Sequence, residues 1–183
     1  MLSDEDKQTL LEIARASVKN GLEHGHPLTV NPDDYAEHLR VLKATFVTLT
    51  IRDRLRGCIG TLEARQPLVA DVAEHAYAAA FRDPRFSPLS EDEYADLQYH
   101  ISILGETTPM QFKDEQDLLS QIRPGIDGLV LSEGLHKGTF LPSVWDSLPT
   151  PALFLRHLKQ KAGLPTDHWS DSLKVERYTV EEF

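Results

Sequence analysis

The sequence predicts an α+β protein with a mainly antiparallel sheet and packed helices. Several segments alternate apolar and polar residues with a period of two and are joined by short polar turns, as in hairpins. Other segments carry apolar residues at helical spacing, and hairpins outnumber possible βαβ crossovers. With 183 residues, 40% apolar and 26% charged, the chain is long enough to bury a sizeable core as one domain or as two closely packed subdomains.

The residue pattern of the first half of the chain predicts a long helix, a hairpin and an alanine-rich helix. Ser3 and the acidic residues after it resemble a capped helix start. In the first strand, Val47, Leu49 and Ile51 occupy one face. The predicted elements are a helix from Ser3 to about Gly21 or Gly25, a short helix after Pro32, strands over 44–51 and 55–59 joined by the turn 52–54, and an alanine-rich helix that opens at Pro67.

The second half continues in mixed order. Pro124-Gly125 and Gly163 mark the ends of two helices, and 134–138 is predicted as the turn of a hairpin. The predicted elements are a short helix over 91–97, a strand over 97–104, a helix over 114–123, strands over 128–131 and 139–141, a helix over 151–162 and a final strand over 173–180.

Composition narrows the class of protein. The formal net charge of −10 and a pI near 5.2 oppose binding to nucleic acid or anionic lipid, so neither nucleic acid nor a membrane is an expected partner. A chain with one cysteine cannot form an internal disulfide, which is typical of a reducing compartment. The N-terminus lacks the features of a signal peptide and no apolar run is long enough for a span, so the predicted location is the cytoplasm.

The segment Leu55-Arg56-Gly57-Cys58-Ile59-Gly60 is the strongest candidate for a site. Gly57 and Gly60 flank the cysteine and allow a close backbone approach. Cys58 is compatible with two roles: a nucleophile or redox thiol beside Arg56, or a small residue of the core. His75 is the nearest candidate for a base that acts with it, and helix packing is the alternative role for this histidine.

A second candidate segment, at the end of the alanine-rich helix, contains Arg82, Asp83, Arg85 and Phe86. Together with Arg56, these arginines are predicted to form a pocket for a phosphate or carboxylate ligand, because guanidinium groups bind oxyanions bidentately. A charge within an apolar strand needs a partner, and Asp83 is the predicted partner of Arg56. The alternative is a structural clamp in which Asp83 caps or pairs an arginine.

Neither a cofactor nor a metal ion is predicted. The sequence lacks a Gly-x-Gly-x-x-Gly segment, a phosphate-binding loop, His-Glu-x-x-His and paired Cys-x-x-Cys motifs. Asp71 with His75, and His24 with His26, are each only a pair of possible ligands.

Taken in order, six segments resemble the AMMECR-one domain family, and the resemblance covers nearly the whole chain. It implies an α+β domain of two packed subdomains with a cleft between them, and no particular reaction. Bacterial and archaeal members of the family are known as protein A of a three-component system (AmmeMemoRadiSam), so the resemblance implies two partners, a Memo-like protein similar to extradiol dioxygenases and a radical S-adenosylmethionine protein. The segments are 55–60, 79–86, 101–104, 128–130, 138–145 and 154–164.

Two functional hypotheses follow. In the first, the chain is an accessory or binding module that docks one of these two partner proteins or holds a small anionic ligand. Its predicted binding residues are Arg56, Gly57, Gly60, Arg82, Asp83, Arg85, Phe86 and Trp145. In the second, the chain is an enzyme that uses Cys58 as a nucleophile or thiol acid/base on a small anionic substrate. The lack of a recognisable Cys/His/acid spacing favours the first.

Overall fold

The α+β prediction is confirmed by a computed structural model that describes residues 1–183. It contains five α-helices and two four-stranded sheets. No helix combines the length and apolar character that a membrane span requires. The elements are α1 (Asp4–His24), β1 (Thr45–Ile51), β2 (Arg54–Gly60), α2 (Leu68–Phe81), α3 (Glu91–Tyr94), β3 (Leu97–Leu104), β4 (Thr108–Pro109), α4 (Glu115–Gln121), β5 (Gly128–Glu133), β6 (His136–Phe140), α5 (Pro151–Lys161), β7 (Lys174–Tyr178) and β8 (Val180–Glu182).

The chain divides into two compact units, 1–104 with 181–183 and 105–180. Each unit has its own sheet and its own hydrophobic core. The strand order is β2-β1-β3-β8 in the first sheet and β4-β7-β5-β6 in the second. Ile101 and Phe183 exchange backbone hydrogen bonds at 2.8 and 3.2 Å, as an antiparallel pair does, so the C-terminus completes the first sheet.

The ends of α1 follow the predicted capping signals. The Ser3 hydroxyl accepts a hydrogen bond from the backbone N–H of Asp6, and the Asp6 side chain accepts one from the backbone of Ser3. Gly25 ends the helix with φ 77°, a conformation that glycine adopts without strain. Leu10, Ala14 and Val18 bury one face of α1 in the first core.

The hairpin formed by β1 and β2 contains two irregularities that shape the candidate site. Its turn places Arg52 and Asp53 at φ 51° and 61°, in the left-handed region that non-glycine residues rarely adopt. The register shifts between Leu49 paired with Gly57 and Thr50 paired with Leu55, so Arg56 is the extra residue of a β-bulge.

In the second unit, a stacked aromatic pair lies at the centre of the core. The rings of Trp145 and Phe154 stack with centroids 3.9 Å apart, and the Trp145 indole N–H donates a 2.8 Å hydrogen bond to the Asp127 carbonyl. Only 4% of Trp145 is exposed. This stacking joins the helix α5 to the short 3-10 helix Pro142–Asp146.

Four details of the predicted elements were wrong. The last strand is two strands, β7 and β8, which belong to different sheets and are separated at Thr179. The turn predicted over 134–138 is only Gly134 and Leu135, because β6 already begins at His136. The helix predicted over 91–97 ends at Tyr94. The turn predicted over 52–54 is only Arg52 and Asp53, because β2 already begins at Arg54.

Candidate functional site

The side chain of Arg56 is held by a short helix instead of by Asp83. Its Nε and Nη2 atoms donate to the two carboxylate oxygens of Glu93 at 2.7 and 3.0 Å, and Nη2 also donates to the Ser87 carbonyl at 2.8 Å. The prediction that Asp83 is the partner of Arg56 was therefore wrong. The reason is physical: the bulge changes the side-chain direction expected from regular alternation, and other donors occupy the Asp83 carboxylate.

Asp83 is the partner of Arg85 and of the β2 backbone. Its buried carboxylate accepts hydrogen bonds from Arg85 Nε at 3.0 Å and Nη2 at 2.7 Å. It also accepts from the backbone N–H groups of Arg85 at 3.1 Å and Cys58 at 2.9 Å. The Arg85 guanidinium, followed by these backbone donors, holds the pKa of Asp83 far below its usual range, although burial opposes the shift. This is the clamp that was the alternative prediction.

Cys58 lies half-buried in β2 beside this clamp. It is paired in register with Thr48, whose hydroxyl donates to the Cys58 Sγ atom at 3.1 Å. Since its backbone N–H is bound to Asp83, Cys58 is connected to Arg85 through a single carboxylate. Both predicted roles of the thiol, functional and structural, are compatible with this position.

Phe86 lies close to both guanidinium groups. The Cζ atom of Arg56 is 5.8 Å from the centroid of the Phe86 ring, and that of Arg85 is 5.5 Å from it. These distances are within the range of cation–π interactions. We call Arg56, Cys58, Arg85 and Phe86 the Phe86 surface. Within it, 56% of the Arg85 side chain but only 12% of the Arg56 side chain is exposed.

The other predicted binding residues lie elsewhere or support the strand. Arg82 pairs with Glu74 at 3.6 Å and lies over the Tyr77 ring, so it is held against α2. Gly57 and Gly60 allow neighbouring backbone segments to approach β2 closely. An alanine Cβ at position 57 would lie 2.0 Å from the Ala79 carbonyl oxygen, and one at position 60 would lie 2.3 Å from the Thr45 carbonyl oxygen. Trp145 is buried in the core of the second unit, so its ring is not exposed for docking.

The two residue pairs considered as metal ligands, Asp71 with His75 and His24 with His26, make other contacts in the structure. His75 and Asp71 are buried on α2, and both are hydrogen-bonded to the Thr45 hydroxyl, at 3.1 and 2.7 Å. The His24 and His26 rings stack with centroids 6.1 Å apart. The chain contains no group of three or more His, Cys, Asp or Glu side chains placed to hold a metal ion.

Stability is expected to fall at acidic pH through the Arg56–Glu93 pair. Hydrogen bonds from Arg56 and from Ser90 lower the pKa of Glu93 from the usual 4.5 to about 2. Because the folded protein then binds fewer protons than the unfolded chain, the contribution is complete above about pH 4.5 and is lost as the pH falls towards about 2. Urea unfolding from pH 6 to pH 2 should show this decline. The other carboxyl groups are the same in the Glu93→Gln variant and in the unsubstituted protein. The free energy of unfolding of the variant should therefore decline less steeply as the pH falls. An identical slope would contradict the assignment.

Two residues of the site were not predicted from the sequence, Glu93 and Thr48. Ser90 and Glu93 have the spacing of a capping box, which is how α3 begins. That signal predicts the helix start, but nothing in the spacing indicates that the same carboxylate binds Arg56, 37 positions away. Thr48 faces Cys58 only because of the hairpin register.

The fold and site define an α+β protein of two antiparallel sheets, whose first sheet ends in a bulged, arginine-bearing strand. Residues 11–183 match the AMMECR1 family. The chain therefore belongs to the AMMECR1 (AMMECR-one) family, as its motifs predicted.

Its similarity to archaeal proteins extends over nearly the whole chain. A protein of Methanothermobacter thermautotrophicus is 36% identical over 188 residues, which cover 100% of this chain and 95% of that protein. Protein SSO0193 of Saccharolobus solfataricus is 37% identical over 189 residues, with coverages of 97% and 80%. The crystal structure of uncharacterized protein PH0010 from Pyrococcus horikoshii aligns with a TM-score of 0.91 at 30% identity, over 99% of this chain and 92% of that one.

Proposed function

We propose that this chain is an accessory binding module that docks a partner protein through the Phe86 surface. The observation that carries the proposal is the immobilisation of two guanidinium groups close to one aromatic ring, Arg56 by Glu93 and Arg85 by Asp83. Arginine and aromatic residues dominate the binding energy of protein interfaces. Holding them in place before binding reduces the entropy that association costs.

Arg85 retains the capacity to bind a partner. Its Nε and Nη2 atoms are used for Asp83, and this leaves the N–H groups of Nη1 for an acceptor on another protein. Arg56 contributes differently, since its side chain is mostly buried and its bonds to Glu93 and Ser87 fix the position of β2 relative to the loop before α3. Phe86 supplies the apolar area between them.

The partners we propose are the Memo-like protein and the radical S-adenosylmethionine protein of the three-component system. This proposal rests on the family resemblance of the motifs, two of which, 55–60 and 79–86, form the Phe86 surface. The partner surface should present a carboxylate that pairs with the exposed Arg85, beside an apolar pocket that covers the half-buried Phe86 ring.

The test is the affinity of purified full-length chain for each partner protein, measured by calorimetry. Phe86→Ala and Arg85→Ala are expected to weaken binding by about 30-fold, the equivalent of about 2 kcal/mol. Arg65→Ala is the matched control, since Arg65 is an exposed arginine of the same unit that pairs with Glu63. Thermal melts establish that each variant is folded.

The enzyme hypothesis predicts a different set of results. Under it, the isolated chain turns over a small anionic substrate, and Cys58→Ser abolishes the turnover while the partner affinities are undetectable. Turnover without partner binding would overturn the docking proposal. Equal affinities of the Phe86→Ala, Arg65→Ala and unsubstituted proteins would also overturn it.

A further inference from the structure

A cavity of about 560 Å³ lies beside the Phe86 surface and is lined by two different elements. The hairpin of β1 and β2 provides an apolar and basic lining, and α3 with Asp96 provides an acidic one. We propose that this hairpin cavity binds an amino-carboxylate, a small zwitterion with an apolar side chain. The proposal goes beyond the docking function and does not depend on it. The lining residues are Ile51, Arg52, Arg54, Leu55, Arg56, Asp92, Glu93 and Asp96.

The charges of the cavity favour a zwitterion over an anion. Its lining includes three arginines and three carboxylates, so its formal charge is balanced. Two of each are already paired: Arg56 binds Glu93 at 2.7 Å, and Arg52 lies 3.6 Å from Asp96. Arg54 and Asp92 remain exposed, and neither makes a side-chain hydrogen bond or an ion pair. A zwitterion can form an ion pair with both residues at once, whereas a ligand with one charge can pair with only one of them.

The apolar part of the lining indicates the rest of the ligand. Leu55 is 43% exposed and Ile51 is half-buried, and both residues line the cavity. An aliphatic side chain that covers both would remove this apolar surface from water. We therefore place the ligand carboxylate at Arg54, its ammonium group at Asp92 and its side chain against Leu55 and Ile51.

The turn that carries these arginines is strained. Arg52 and Asp53 both have positive φ, where a two-residue hairpin turn ordinarily has Asn-Gly or another pair that tolerates this conformation. Such strain is concentrated in proteins at binding and catalytic positions. Here it fixes the end of the hairpin from which Arg52 and Arg54 reach the cavity.

The experiment is calorimetric titration of the full chain with L-leucine and with leucyl-leucine, which share the two charges but differ in their separation. The expected result is saturable binding of one or both. The one-headed analogues 4-methylpentanoate and 3-methylbutylamine should bind about tenfold more weakly or worse. Arg54→Gln and Asp92→Asn should each weaken zwitterion binding by about tenfold, whereas Arg65→Gln should have no effect.

The relative affinities of the two zwitterions distinguish a free amino acid from a peptide as the ligand. Failure of both to bind at millimolar concentration would overturn the proposal, and so would equal affinity for the one-headed analogues. Arg54→Gln should leave partner docking unchanged, because Arg54 lies next to the hairpin turn and is not part of the Phe86 surface. Loss of partner docking with intact zwitterion binding, or the reverse, therefore separates this proposal from the docking function.

Discussion

Replacing Gly57 with alanine is expected to destabilise the protein by about 3 kcal/mol. The new Cβ would lie 2.0 Å from the carbonyl oxygen of Ala79 and 2.9 Å from its carbonyl carbon. Both are backbone atoms of α2, which cannot rotate away as a side chain can. The strand and the helix must therefore separate, and the close packing of α2 on β2 is lost.

Urea unfolding of Gly57→Ala measures this effect, and Gly105→Ala is the matched control. At Gly105 the nearest atoms to an added Cβ are 3.2 Å and 3.3 Å away, so a small displacement accommodates it. Its cost should be below about 1 kcal/mol. A Gly57→Ala protein as stable as Gly105→Ala would contradict the close approach of α2 and β2.

Replacing Asp83 with alanine is expected to cost about 2 kcal/mol. The substitution removes the acceptor of four hydrogen bonds, two of which come from backbone N–H groups at Cys58 and Arg85. Backbone donors that lose their partner in a partly buried position cost about 1 kcal/mol or more each. The Arg85 side chain is 56% exposed and regains hydration, so its contribution is small.

Asp83→Asn separates the charge from the hydrogen bonds, because an amide oxygen still accepts from the backbone. It should be less destabilising than Asp83→Ala in the same urea experiment. Asp33→Ala, at an exposed carboxylate that pairs with Arg40, is the control and should change the free energy of unfolding by less than about 0.5 kcal/mol. If Asp83→Ala and Asp33→Ala have equal stabilities, the clamp does not hold the strand.

The sequence predicted the elements of this fold well where a signal was local. Ser3 and Gly25 mark the ends of α1, and alternation from Leu97 to Leu104 coincides with β3. The division of the last strand at Thr179 has no such signal: alternation continues from β7 into β8, and only pairing with different sheets separates them. A strand of two residues, β4, is too short for any pattern.

The sequence predicted which residues of the candidate site lie together better than it predicted which of them pair, and their role in binding stays a prediction. Glycine, arginine and aspartate at unusual positions indicated that Arg56, Asp83 and Arg85 belong to one region, and the Arg85–Asp83 contact is local enough to follow from their separation by two residues. The pairing of Arg56 with Glu93 depends on a bulge and on the position of α3. The bulge and the position of α3 both depend on tertiary packing, and the spacing of residues along the sequence does not indicate either of them.

In the proposed docking a partner protein covers the Phe86 surface, and the thiol of Cys58 offers a direct probe of that contact. This is the single cysteine of the chain, it is half-buried in that surface, and iodoacetamide therefore reports on one position. The alkylation rate of the native chain should be measured by mass spectrometry alone and with a saturating concentration of the Memo-like or radical S-adenosylmethionine protein. Docking predicts that one of these partners slows alkylation by about tenfold or more, because an interface excludes the reagent. The same rate with and without both saturating partners would contradict it.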